Sequence, residues 1–448
     1  MSSTSETQPA WLTRHLRDTS PPPKLYAWTT ANLEAAAPEA SPLQKPHQGA
    51  SIGDLERRVF ILGIGNIGRL YAAQIALHPA TRRPPITLVV HRKQLLSEWA
   101  SGKGIELNPP GSNPGAVPAG IKEPFDVEWW TKEPPTCGPV REVADGSSLR
   151  SLIITTKASV AIPEVDRLRR YLDDSSAVAF AQNGVCKLWP PYGQTYTAHR
   201  HPHGRSPSFL ACVTSHGVYS IGPFRSVHAA LGDVIVGPVP VNVDGVPQTT
   251  SSSSTYLTQC IADAPGLHGK AVSSAELWIL QLEKLVYNSS INPLTAILRC
   301  KNGGLFEEPN GIIARVMDRL LEETSRVLQA LVVHESSALI LDEPSALAGK
   351  SADAAHEQRA QLVARFAQPR LRQALHAFGA KVAANTSSML QDVQAGKPTE
   401  IRDFNGWLIE TAAFLDPTID MTAHRSVVEM VESNVILTKE ELGRRILG

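Results

Sequence analysis

A chain of 448 residues exceeds one ordinary domain, so two domains with appendages are expected. Lysine plus arginine (43) balances aspartate plus glutamate (43), which removes any general pull toward nucleic acid or a membrane surface, and a 42% hydrophobic fraction suffices for real cores. Cys137, Cys186, Cys212, Cys260 and Cys300 are scattered without a CxxC pair, against a zinc ribbon or disulfide framework, and no apolar run approaches transmembrane length.

Residues 1–55 are rich in Pro, Ser and Ala, including Pro21-Pro22-Pro23, and read as an extension of extended or mobile chain. Trp11, Leu16, Tyr26 and Trp28 offer apolar anchors by which it can dock. There is no apolar signal core. Arg14 and Arg17 hint at a mitochondrial transit peptide, but Glu6 and Asp18 interrupt the pattern, so a cytoplasmic location is the expectation.

Val59-Phe60-Ile61-Leu62 predicts a buried strand, followed at once by Gly63-Ile64-Gly65-Asn66-Ile67-Gly68 and then by Leu70, Tyr71, Ile75 and Leu77 at helical spacing. Ile86 to Val90 supplies a second strand where a right-handed crossover returns one. Runs at Leu152–Thr155 and Ala177–Phe180 continue the alternation. The expected fold is therefore α/β, a doubly wound, Rossmann-like domain over residues 56–260. Phe209–Thr214, Ser226–Leu231 and Asp233–Val236 read as short strands extending the sheet, and Thr249–Thr255 as a loop.

From Ser273 the pattern becomes helical, with Ser273 and Glu276 at capping-box spacing. Further helices are predicted over 311–333, 357–378 and 425–436, with a looped insertion at 335–356. Residues 270–448 thus read as an all-helical second domain.

A glycine triplet alone says little. Placed between a strand and a helix, it fits a dinucleotide pyrophosphate: the first Gly allows the turn, the second a close backbone approach, the third tight helix packing. At the end of the second strand an NAD enzyme carries Asp or Glu. Here His91-Arg92-Lys93 stands instead, and a guanidinium pairs with a 2′-phosphate, so NADP(H) is expected, with Arg92 reading that phosphate. Lys284, Asn288 and Asn292 recur four apart, one cation and two amides along one helix side.

The words around them, Glu283 to Asn288 and Ile291 to Ala296, then Asn302-Gly303, Asn385, Ser388-Met389-Leu390-Gln391-Asp392 and Thr399-Glu400-Ile401, closely resemble the signature of the ketopantoate reductases. So do Thr156-Lys157-Ala158 and Gln182-Asn183-Gly184, and the resemblance runs from about Arg58 to Ile436. It implies a Rossmann domain, a helical domain and an active site in the cleft between them. It also implies NADPH-dependent reduction of 2-dehydropantoate to (R)-pantoate, a step toward pantothenate and coenzyme A. On this likeness Lys284 is the general acid. Glu400 orients it and contacts the cofactor, Lys157 lies along the cofactor, and Asn183 sits near both nicotinamide and substrate. Asn288, Asn292, Asn302 and Ser388 would hold the keto acid. The chemistry suits these residues: hydride arriving at a ketone leaves charge on oxygen, which an ammonium stabilises and then protonates.

Ser159-Val160 depart from the family's usual Gln after the Lys-Ala pair, and the insertions near 189–207 and 335–356 are long and resemble a fungal-type branch. They leave open a different 2-keto acid, or a scaffold that has lost catalysis. The expected partner is a small 2-keto acid, with no nucleic acid, membrane or metal, in a monomer or homodimer. His199, His201 and His203 alternate but lack companion ligands, Cys186 reads as a structural thiol, and Trp129, Trp130 and Trp278 as packing.

Overall fold

A computed structural model describes residues 8–33, 52–109, 111, 120–202, 205–243, 246–247, 251–341 and 352–448. Its strands are β1 (Tyr26–Trp28), β2 (Val59–Leu62), β3 (Ile86–Val90), β4 (Glu106–Asn108), β5 (Phe125–Thr131), β6 (Ser151–Ile154), β7 (Ala177–Ala181), β8 (Ser208–Thr214), β9 (Gly217–Gly222), β10 (Arg225–Ala230), β11 (Val234–Val239), β12 (Asn242–Val243), β13 (Val246–Pro247) and β14 (Gly269–Ala271). The chain forms two compact units. A sheet unit holds Asp18–Asn183 and Thr197–Leu277; a helical unit holds Trp278–Gly448, the segment Gly184–Tyr196 and the N-terminal helix Ala10–Arg17. Sequence order alone could not show that 184–196 groups with residues a hundred positions later.

In the sheet unit nine strands run β1-β5-β3-β2-β6-β7-β8-β11-β14. From β5 to β8 the pairing is parallel. The central strands β2, β3, β6 and β7 are buried at every residue, which is why they read as Val/Ile/Leu/Phe/Ala runs interrupted only by the small hydroxyls of Thr87 and Ser151: both faces of a parallel sheet are covered. The chain reverses direction across the sheet at β2, with β3 on one side and β6 on the other. Such a switch point opens a crevice at the strands' carboxyl ends.

Part of the extension is built into this sheet. Residues 1–7 and 34–51 lie outside the described residues, but β1 adds an antiparallel edge to β5, pairing Tyr26 with Thr131 and Trp28 with Trp129. Trp28 is buried, donates from its indole N–H to the Glu133 carbonyl at 2.9 Å, and meets Trp129 with ring centroids 5.4 Å apart. The Tyr171 hydroxyl accepts the Leu25 N–H at 2.8 Å.

Other expectations change. Ser226–Leu231 does not extend the main sheet: β10 pairs with β4 and β9 in a separate three-stranded sheet. Of the Ser/Thr run expected as a loop, 249–250 lies outside the described residues and the rest starts the helix Ser252–Ala262, whose Ser251 side chain accepts the Ser254 N–H; Leu257, Cys260 and Ile261 form its buried stripe. Serines there are cap rather than linker. The helix expected over 357–378 is two, Ala352–Arg365 and Gln368–Lys381, because Pro369 cannot continue a helix and sits in the first turn of the second. Of the looped insertion at 335–356, Ala338–Leu341 is helical and 342–351 lies outside the described residues.

The helical unit packs around Ile312–Val333, which buries Val316, Met317, Leu320, Leu321, Val327, Leu328 and Leu331, each contributing about 1.5–3 kcal/mol of burial. One side of this helix is polar and tied to the following elements by hydrogen bonds. Glu323 accepts the Ala423 and His424 N–H groups at 2.9 and 3.1 Å. The His424 Nε2–H donates to the Leu320 carbonyl at 3.1 Å while its Nδ1 accepts from Asn405 Nδ2 at 2.9 Å, and that amide also donates to the Ser289 carbonyl at 2.9 Å. Two backbone carbonyls, which can only accept, fix both the Asn405 orientation and the His424 tautomer.

Candidate active site

The sheet unit carries one set of predicted residues. Gly63 takes φ +97°, a left-handed conformation that a β-carbon would strain, and a β-carbon there would lie 2.9 Å from Thr156 Cγ2. Gly65 ends the turn as N-cap of the helix Asn66–Ala76, and a β-carbon on it would meet nothing within 4 Å: the space in front of the helix terminus is open. Gly68 is the reverse case, its missing β-carbon 2.1 Å from the Gly63 carbonyl oxygen. Ile64, Asn66 and Ile67 fill the loop between them, whose amides face this opening at the positive helix end.

Around the carboxyl ends of β2, β3, β6 and β7 stand the other members. Arg92 is exposed at the N-cap of the helix Lys93–Ser101, while Lys93 is held 4.9 Å over the Trp28 ring. Burial and the Arg92 charge both lower the basicity of His91. Lys157 is half-buried at the N-cap of Ala158–Arg167, and Asn183 is half-buried just after β7. Thr156 Oγ1 and Gln182 Oε1, one at the end of β6 and one at the end of β7, are buried without a hydrogen-bond partner among the described residues. An open glycine cradle rimmed by cations and by polar atoms still needing partners fits a dinucleotide.

One residue here was missed from sequence. Arg69 is buried beneath the loop and donates to the Ile64 carbonyl at 3.1 Å, to the Gly222 carbonyl at 2.9 Å and to Ser226 Oγ at 3.0 Å. Burial pushes it down to about 10, so it stays charged at neutral pH and adds its field to the anion-binding loop. An arginine one step past the last glycine, in an otherwise apolar helix, was the available signal.

The helical unit carries the second set. Lys284, Asn288 and Asn292 follow one another up the helix Ser274–Leu298. Asn292 is buried, with its amide nitrogen 3.5 Å from Asn288 Oδ1. Lys284 is half-buried, and desolvation pushes its ammonium down to about 8 against the opposing pull of Glu400. Glu400 is itself buried and stands two residues before a π-turn, Arg402–Gly406, which was not foreseen; its carbonyl accepts the N–H groups of Asp403 and Phe404 at 2.9 and 3.2 Å. Such turns place side chains a regular helix cannot.

Asn302 is buried. Its Nδ2 donates to the Val382 carbonyl at 3.2 Å and its Oδ1 has no partner among the described residues. Ser388 is exposed at the start of the helix Ser388–Gln394. Its neighbour Ser387 faces inward instead, capping that helix and sharing a 2.7 Å hydrogen bond with Thr295. The structure therefore couples Lys284 with Glu400 and Asn288 with Asn292, and sets Asn302 and Ser388 on separate neighbouring segments. Outside these sets, Cys186 is buried and pushed up to about 12, an inert thiol. His201 is buried, and His203 lies outside the described residues. Among the described residues no group of three His, Cys, Asp or Glu side chains could hold a metal ion, and no helix is long and apolar enough to cross a membrane.

Two family profiles account for most of the chain: ketopantoate reductase PanE/ApbA matches residues 59–240, and its C-terminal counterpart matches 277–434. The chain belongs to the ketopantoate reductase family. This is a family of oxidoreductases, and the fold agrees: a PanE/ApbA family ketopantoate reductase from Ralstonia eutropha superposes with a TM-score of 0.53 at 17% identity, covering 86% of this chain and 99% of its own. Two relatives match from end to end. The ketoisovalerate reductase BEA2 of Gibberella fujikuroi is 46% identical over 99% of this chain and 100% of its own length. The ketoisovalerate reductase of Beauveria bassiana is 42% identical with the same coverage.

Proposed function

We propose that this protein is an NADPH-dependent reductase of a branched 2-keto acid, and that the acid is ketoisovalerate rather than ketopantoate. The coupled pair of Lys284 and Glu400, beside the Asn288–Asn292 amides, carries the reductase reading. The substrate choice is supported by relatives that match over their whole length, extension included, and whose names specify ketoisovalerate. This reading puts a close chemical analogue in the place of the 2-dehydropantoate that the resemblance implies, since ketopantoate is ketoisovalerate bearing a hydroxymethyl group at C3.

When bound, NADPH supplies the hydride. The amides of Ile64, Gly65, Asn66 and Ile67 would hold its pyrophosphate, Arg92 the 2′-phosphate, and Lys157 and Asn183 would line its path. Asn288, Asn292, Asn302 and Ser388 fix the keto acid by its carboxylate, and neutral donors do so without trapping a second full charge. Lys284 donates a hydrogen bond to the keto oxygen, then its proton as charge develops there. Glu400 keeps that lysine protonated at neutral pH despite its burial.

The deciding experiment is a panel of 2-keto acids with NADPH consumption as readout. Ketoisovalerate should exceed ketopantoate in kcat/KM by about 10-fold or more, the scale set by one small group in a pocket. Preference for ketopantoate would return the protein to pantoate synthesis, and turnover of neither would remove it from both.

A further inference from the structure

The segment Gly184–Tyr196 carries a lysine that the proposed chemistry does not use. The Lys187 ammonium lies 3.6 Å from Asp403 Oδ1, an ion pair longer than a hydrogen bond, with the two side chains only 15% and 6% exposed. On its other side the indole of Trp11, from the N-terminal helix, covers it at 5.6 Å from the ring centroid. Glu410 also faces it: burial raises that carboxyl, and Lys187 draws it back down. Arg402, the remaining charge on the turn, also draws Glu410 down but spends its hydrogen bonds on Glu432, at 2.5 and 2.6 Å.

Asp403 is the second residue of the π-turn that follows Glu400, and its own N–H donates to the Glu400 carbonyl at 2.9 Å. The same segment touches this turn a second time. Gly184, at φ +85°, packs so closely that a β-carbon on it would lie 3.3 Å from the Asp403 carbonyl oxygen and 3.6 Å from Phe404. A glycine contact and a buried ion pair thus hold one short, irregular stretch of backbone. Burying two charges costs desolvation that their attraction only partly offsets, and apolar side chains of similar size would pack as stably. What the pair supplies that packing would not is direction.

We infer that Lys187 is a positioning residue for Glu400: through Asp403 it locks the turn that presents this carboxylate, and so sets how firmly Lys284 holds its proton. The inference rests on the reading of Lys284 as proton donor. It also gives the N-terminal helix a part in the chemistry, because Trp11 shields the pair from water and so strengthens it. Glu283, the other carboxylate next to Lys284 in the chain, pairs with Arg365 at 2.6 Å, which leaves Glu400 as the acid opposing the lysine's burial.

The test uses the full-length protein and the variants Lys187→Met, Lys187→Arg, Asp403→Asn and Lys284→Met. Two quantities are followed against pH: turnover of the keto acid, and acetylation of Lys284 by acetic anhydride, quantified by mass spectrometry. In Lys187→Met and Asp403→Asn both the alkaline limb of turnover and the labelling midpoint should move down by roughly 0.5–1 pH unit, a few-fold loss of the protonated fraction at fixed pH. Lys187→Arg should restore both, with NADPH affinity unchanged throughout. Variants that fold, by an unshifted thermal transition, yet keep the wild-type midpoint would overturn the inference; so would lower turnover with an unmoved limb. Should Lys187→Met not fold, Asp403→Asn and Lys187→Arg decide alone. Wild-type turnover in Lys284→Met would instead sink the proton-donor reading, while the labelling midpoint would still report whether Lys187 governs that lysine.

Discussion

Gly68 approaches Gly63 so closely that a β-carbon on the former would stand 2.1 Å from the carbonyl oxygen of the latter, whereas the same atom on Gly65 would enter open space. The two later glycines of the triplet therefore serve different ends, and substitution should separate them. Gly68→Ala must push helix from strand and should lose about 1–3 kcal/mol of stability. Gly65→Ala should cost under about 1 kcal/mol as a poorer N-cap, yet block the pyrophosphate and weaken NADPH binding by roughly 10-fold or more. Thermal denaturation and fluorescence titration measure the two effects. Equal losses in both variants would contradict this division.

Lys284 is expected to act protonated in reduction. Burial has brought it down to about 8, so turnover of the keto acid should fall as pH rises through that value, and oxidation of the 2-hydroxy acid should rise over the same range. Lys284→Met should lower kcat by about 10²–10⁴-fold, the usual worth of a positioned acid, with little effect on NADPH affinity. A profile flat from pH 7 to pH 9, a range of roughly two units about the shifted value, would assign the proton to another group.

Arg92 stands exposed at the end of β3, where a carboxylate would otherwise meet the ribose. Arg92→Met should raise the KM for NADPH by about 10–100-fold, matching about 1.5–3 kcal/mol for a charged hydrogen bond, and leave that for NADH nearly unchanged. Were both to change alike, the 2′-phosphate would have another reader.

His424 is buried and neutral, its Nε2–H committed to a carbonyl and its Nδ1 to an amide donor, and burial pushes it down to about 4. Below pH 6.5 the unfolded chain takes up a proton there that the folded chain refuses. This histidine's contribution is complete above 6.5 and lost as pH falls toward 4, by about 3 kcal/mol in all. Urea denaturation at pH 7 and pH 4.5 should show that loss, and His424→Gln should flatten it. His201, also pushed down to about 4, adds to the same slope and will persist in that variant.

The parts of the fold legible in sequence were those governed by one local rule. Four central strands announced themselves as mainly apolar runs because both faces of the sheet are covered, and the glycine loop by its spacing between a strand and a helix. The lysine helix was readable from its four-residue recurrence. What escaped depended on distant partners. Tyr26 to Trp28 is too short to show a period and becomes a strand only because β5 offers an edge. The π-turn after Glu400 packs against Gly184 and Lys187 at Asp403, residues more than two hundred positions away. Ser387 and Ser388 look alike in a string, and only packing shows which faces inward.

The edge strand β1 also bears on how the protein can be handled. A chain begun at Val59, where the family profile starts, would bare the outer rim of β5 from Trp129 to Thr131, where β1 pairs, and would strip the Trp11 cover from Lys187. Unpaired rims of this kind recruit strands from other molecules. Low yield or precipitation of such a trimmed protein would reflect a missing wall of the sheet, and reporter tags are best carried at the opposite end, beyond Leu447.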